Sequence, residues 1–134
     1  MKKALIILSL FCASAYADTS IGINTITLHV PKVENTTAYT PGVYVVQDNT
    51  TIGVYRNSYK NVSMYAGYSY QYSANTSIIA GVLTGYPICR KTYGICPGAA
   101  IKYLVPVTEN TRMGFTFSAG TAAVAINYTL EYKL

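Results

Sequence analysis

Hydrophobic and polar residues alternate with a period of two along most of this chain, the spacing of strands whose two faces meet different surroundings. The clearest run is residues 62–73. Val62, Met64, Ala66, Tyr68, Tyr70 and Tyr72 share one face, and Ser63, Tyr65, Gly67, Ser69, Gln71 and Ser73 share the other. The C-terminus repeats the pattern, with Val124, Ile126, Tyr128, Leu130, Tyr132 and Leu134 against Ala125, Asn127, Thr129, Glu131 and Lys133. Turn-forming residues punctuate the runs at Asp48-Asn49, 57–61, Ala74-Asn75, Glu109-Asn110 and Ala119-Gly120. Eight strands are predicted: Ile21–Val30, Gly42–Asp48, Thr51–Asn57, Val62–Ser73, Ser77–Gly85, Ala99–Val107, Thr111–Ala119 and Ala122–Leu134.

The uncharged stretch Met113 to Leu130 is long enough for a membrane helix. It carries Thr116, Ser118, Thr121, Asn127 and Thr129, is interrupted by Gly114 and Gly120, and alternates Phe115 and Phe117 with Thr116 and Ser118. Those features describe two strands around a tight turn.

The polar face of these strands is made of Ser, Thr, Asn, Gln and Gly with little charge, while the opposite face is aromatic and aliphatic. A small eight-stranded barrel has an interior only wide enough for side chains, so small polar residues suit its inside. The tyrosine-rich face then points to lipid, with rings near the interfaces. Connection lengths agree. With both termini on the periplasmic side, the even connections are tight, whereas Pro31 to Pro41 and Tyr86 to Gly98 are long. The expected fold is an all-β, eight-stranded antiparallel up-and-down β-barrel of the outer membrane. The alternative is a soluble periplasmic β-sandwich that binds a partner protein.

Export follows from the first 17 residues. Lys2 and Lys3 precede an apolar run from Ala4 to Phe11, and Ala15-Tyr16-Ala17 supplies the small residues a signal peptidase needs. The mature domain is residues 18–134, which is one domain's length. Removing Lys2 and Lys3 takes Lys+Arg from 10 to 8, against 5 Asp+Glu, a net +3. These basic residues are scattered singly, which argues against nucleic acid as a partner. Low charge and 14 tyrosines argue against disorder.

Cleavage leaves Cys89 and Cys96, an even pair in an oxidising compartment that reads as a disulfide. Two thiols and one distant histidine, His29, are too few ligands for a metal. No cofactor is expected.

The final Tyr128-x-Leu130-x-Tyr132-x-Leu134 alternation resembles the C-terminal strand that the barrel assembly machinery reads, with Leu134 where Phe or Trp is usual. More specifically, residues 52–59 (IGVYRNSY), with Tyr65-Ala66-Gly67-Tyr68 and residues 81–86 (GVLTGY), resemble small exported barrels of bacteria and phages. These are compared with lipid A palmitoyltransferase-like barrels, and the likeness covers about Ile26 to Val107. It implies an outer-membrane barrel with lipid or lipopolysaccharide as its partner.

Threading the strands gathers His29, Arg56, Asn57, Ser58, Ser63 and Tyr65 at the extracellular rim. A His beside a Ser is the minimum for an activated nucleophile. The resemblance thus motivates an acyltransferase or deacylase using His29 with Ser58 or Ser63, although the palmitoyltransferase's Asp-Ser pair has no match here. The alternative is a hydrogen-bonded plug with a structural or surface-interaction role. Arg56, Asn57, Tyr65, Arg90 and Lys91 are the candidate binding residues, the cations for lipopolysaccharide phosphates.

Overall fold

The computed structural model describes residues 18–119 and 124–134. The expected signal segment, the turn at Gly120 and the predicted strand start at Ala122 lie outside the described residues. Eight strands follow in chain order: β1 Thr19–Val30, β2 Tyr39–Gln47, β3 Thr50–Arg56, β4 Val62–Gln71, β5 Thr76–Thr84, β6 Ile95–Pro106, β7 Thr111–Ala119 and β8 Val124–Lys133. One short 3-10 helix, Pro87–Thr92, sits between β5 and β6.

Each strand pairs antiparallel with the next, and β8 pairs back onto β1 from Ser20↔Lys133 to Val30↔Val124. This closes the sheet and leaves no edge strand to template further pairing. The fold is therefore the expected eight-stranded up-and-down barrel. The two-sheet sandwich is ruled out, because a sandwich does not hydrogen-bond its first strand to its last.

Two strand starts differ from expectation by more than two residues. β2 begins at Tyr39 and not Gly42, because Ile26↔Tyr39 pairing carries the strand past Pro41. β6 begins at Ile95 and not Ala99, because Thr84↔Ile95 through Gly81↔Gly98 extend its ladder with β5. The Cys96-Pro97-Gly98 segment, expected as loop, is thus strand. Among the described residues the β6–β7 ladder begins only at Ala100↔Ser118. Proline is tolerated in a strand where one side lacks a ladder partner.

β1 slips register against both neighbours between Asn24 and Thr27. This bulge moves its apolar set from Ile21 and Ile23 to Ile26, Leu28 and Val30, all exposed on the outer face.

The burial pattern is inverted relative to a water-soluble domain. Among the described residues, only Tyr44, Cys89 and Leu104 are buried hydrophobics, against eleven buried polar or charged residues. Ile23, Val54, Met64, Ile101, Phe115 and their neighbours stand exposed around the outside. Water-soluble monomers rarely show contiguous apolar patches beyond a few hundred Å². Outward tyrosines cluster near the short-turn end, at Tyr70, Tyr72, Tyr103 and Tyr132, with Tyr39 toward the other end.

One expectation about the lumen is corrected. The outer face does not hold all the other rings: Tyr44, Tyr55 and Tyr86 line the interior together with Tyr65, which the alternation of β4 placed on the polar face. Nor is the interior filled by side chains. A chamber of about 890 Å³ occupies the end with the long connections. No side chain projects from Gly67, Gly81 and Gly98, which line it on three adjacent strands.

Candidate functional site

The chamber mouth is built by the β3–β4 turn, the end of β1 and the segment after β5. Asn57 organises the turn. It is fully buried; its side-chain amide donates to Ser63 Oγ at 2.9 Å and to the Gly85 carbonyl at 2.8 Å. Its Oδ1 accepts from the backbone N–H of Tyr59 and of Asn61, both at 3.0 Å. Asn and Asp favour such turns because a short side chain can bond the backbone just ahead. Gly85 completes the joint at φ +87°, and a Cβ there would lie 2.5 Å from both Ser63 Oγ and the Val62 carbonyl oxygen. Asn57 and Ser63 thus secure the joint between β3, β4 and β5.

Ser58 follows Asn57 and is buried, with its Oγ 3.1 Å from His29 Nε2. The turn delivers Ser58 to His29 across the barrel wall, a pairing of residues 29 positions apart in sequence. When the imidazole proton is on Nδ1, Nε2 accepts the serine hydroxyl. No carboxylate is hydrogen-bonded to His29 among the described residues, so this is a dyad and not a triad. Ser63, the other serine considered from sequence, is engaged with Asn57 and not with His29.

Aromatic rings line the same mouth. Tyr55 and Tyr86 share a hydroxyl–hydroxyl bond of 2.7 Å, and Tyr55 meets Tyr65 edge-on at 5.9 Å. Tyr59 packs edge-on against Tyr86 at 6.1 Å. Burial, and next the neighbouring Tyr55, push the Tyr86 hydroxyl well above the usual phenol range, so it stays protonated. These rings give the chamber apolar walls above a floor of hydroxyls.

The remaining expected residues are placed differently. Arg56 is exposed on the outer face at the end of β3 and stays out of the cluster, because strand alternation turns it away from Tyr55 and Asn57. Arg90 and Lys91 are exposed on the 3-10 helix, and Lys91 also reaches the chamber lining. That helix is tied down by the Cys89–Cys96 disulfide, which joins it to β6.

Deeper in the lumen lies a cluster that the sequence reading did not single out. Glu131 on β8 accepts from Lys102 Nζ at 2.6 Å, Arg112 Nη2 at 2.5 Å and the Tyr44 hydroxyl at 2.8 Å. Lys102 also lies 5.0 Å from the Tyr44 ring centre, within cation–π range. Both Gly22↔Tyr44 and Gly22↔Glu131 are paired, so Tyr44 spans β1 to reach Glu131. Between this layer and the mouth run hydroxyl and amide bonds: Thr27 with Thr40 and Asn127, Thr116 with Thr129, and Thr129 with Asn24.

A closed eight-stranded antiparallel barrel, apolar outside and polar within, defines the fold class of transmembrane β-barrels. Solved structures that share it include two designed barrels. The solution NMR structure of the de novo designed TMB2.3 matches with a TM-score of 0.61 at 8% identity, covering 88% of this chain and 94% of that one. A barrel from the de novo design of transmembrane β-barrels matches with a TM-score of 0.54 at 14% identity, covering 87% and 95%. At these identities the likeness is one of fold. No protein family model matches the sequence, and no curated protein is similar to it.

Proposed function

We propose that this chain is an exported outer-membrane barrel of the small bacterial and phage type, with a structural or interaction role at the cell surface. The observation that carries the reading is the inverted burial: the buried residues are mostly polar while isoleucine, valine, phenylalanine and tyrosine stand exposed on the outside. Hydrocarbon satisfies that outer face, and barrel closure leaves every strand paired, as a bilayer requires. Residues 1–17 direct export, and the barrel assembly machinery receives the alternating β8 strand. Arg56, Arg90 and Lys91, all exposed toward the long-loop end, offer contacts to lipopolysaccharide phosphates.

Cell fractionation with a gel-mobility assay tests this. The protein is expected in the outer-membrane fraction, migrating faster in detergent before heating than after. Recovery in the osmotic-shock fluid overturns the reading.

A second reading rests on the 3.1 Å contact between Ser58 and His29 at the chamber mouth. His29 Nε2 would take the Ser58 proton as Oγ attacks an ester carbonyl of lipid A. The acyl group moves to Oγ, the sugar oxygen leaves, and His29 returns the proton to it; water or a second hydroxyl then takes the acyl group by the reverse steps. Mass spectrometry of lipid A from cells with and without the protein decides it. A changed acyl pattern that is lost with Ser58→Ala supports transfer or hydrolysis; an unchanged pattern removes it.

A further inference from the structure

The lumen holds two chambers in line. The larger opens toward the long connections; the second, about 300 Å³, opens toward the short turns and is lined by Asp48, Ser69, Ser77, Arg112 and Glu131 among others. Lys102 borders both chambers, Tyr44 borders the larger and Glu131 the smaller. One side-chain layer therefore divides the barrel, and it is the layer in which Glu131 holds Tyr44, Lys102 and Arg112. We propose that this barrel is a gated conduit for small ions, closed by that layer.

Three observations carry the assignment. First, polar groups reach into both chambers: Asp48, Ser69, Ser77 and Glu131 line the smaller, and Thr27, Thr51, Asn127 and Lys102 line the larger beneath its aromatic and aliphatic walls, so water has hydrogen-bond partners in each. Second, the division is made by groups that can exchange partners. Glu131 has two cationic partners, so Lys102 can swing away while Arg112 keeps the carboxylate neutralised. Third, the exposures are graded. The side chains of Lys102 and Glu131 are 6% and 2% exposed, whereas Arg112 is 36% exposed and already reaches the smaller chamber. A permanent seal would be better made of apolar groups, since a buried ion pair is rarely more stable than a well-packed hydrophobic substitute.

The conduit rests on the membrane reading above, and the experiment separates the two. Wild type, Lys102→Ala, Glu131→Gln and Tyr44→Phe are refolded into lipid vesicles. Insertion is scored by flotation and by gel mobility before and after heating, and ion flux by chloride-sensitive dye and by planar-bilayer current in potassium chloride. Lys102→Ala removes the side chain shared by both chambers and leaves Glu131 paired with Arg112. It is expected to raise flux at least tenfold over wild type. Glu131→Gln leaves two unpaired cations at the constriction and is expected to shift the zero-current potential in a salt gradient toward chloride selectivity. Tyr44→Phe, the mildest change, loosens Glu131 by one hydrogen bond and is expected to raise the frequency of openings, so the idea stays testable if either charge variant fails to fold. Variants that float and show heat-shifted mobility yet leak no faster than wild type overturn the conduit alone. A wild type that does not float overturns the membrane reading and the conduit with it.

Discussion

Gly22 of β1 lies opposite Tyr44 of β2, and a Cβ on Gly22 would sit 2.0 Å from the Tyr44 ring. The ring occupies the space that any larger residue would fill, and from there its hydroxyl reaches Glu131. Gly22→Ala should therefore expel the ring and break that bond. Overpacking costs about 1–3 kcal/mol, and losing a hydrogen bond to a charged group about 1.5–3 kcal/mol. Urea titration of the folded barrel, read by gel mobility, should show a lowered midpoint. Adding Gly22→Ala to Tyr44→Ala should cost little more than Tyr44→Ala alone, because both act on one contact.

The turn at Asn57 makes a second expectation. Asn57→Ala leaves the half-buried Gly85 carbonyl without its 2.8 Å donor and frees the N–H groups of Tyr59 and Asn61. Hydrogen bonds of this kind contribute about 0.5–1.5 kcal/mol each. The loss should exceed that of Ser63→Ala, which leaves the bonds from Asn57 to Gly85, Tyr59 and Asn61 in place. Refolding yield and urea midpoint of the two variants check the order.

Exposed side chains on the outer face separate membrane from water as the surrounding solvent. Ile101 lies midway along β6, paired with Ile78 and Phe117 on the adjacent strands. Ile101→Lys should destabilise the bilayer-inserted barrel by about 2–4 kcal/mol, the cost of a lysine near the midplane. A change within about 0.5 kcal/mol, usual for a water-exposed surface, would count against lipid contact there.

How much was legible beforehand follows from where the signal lay. Period-two alternation in β4 and β8 was strong enough to place strands, and the parity of connection lengths gave up-and-down order. The rim pairing of His29 with Ser58 was readable as proximity, because strand direction alone brings both to one end. Ser58 over Ser63 was not, since the choice depends on how Asn57 folds its turn. Tyr65 already fell on the polar phase of β4, whereas the inward placement of Tyr44 and Tyr55 was not legible, because tyrosine suits both a lipid interface and a lumen. The Glu131 cluster had a signal that went unused: Lys102, Arg112 and Glu131 all fall on the small-residue phase of their strands. A charge in that phase points into the lumen and requires a partner.

The Cys89–Cys96 bridge gives a further measurable expectation. It closes a short ring, with a separation of 7, and loop-closure entropy for such a ring contributes about 2–3 kcal/mol. Cys89→Ser with Cys96→Ser should lower the urea midpoint but keep the heat-shifted gel mobility, because the bridge touches the barrel only at the first pairs of β6, Thr84↔Ile95 and Leu83↔Cys96. Loss of the folded band would show that the 3-10 helix and its ring are needed for closure.

The displaced register of β1 makes this strand two-phased: odd-numbered residues look outward below Asn24, even-numbered ones above it. Deleting one residue at Thr25 would restore a single phase and rotate the upper half inside out, sending His29 to the outer face and Leu28 toward Asn127. The imidazole at the mouth thus exists as a lumen group only because one extra residue has been spliced into its strand.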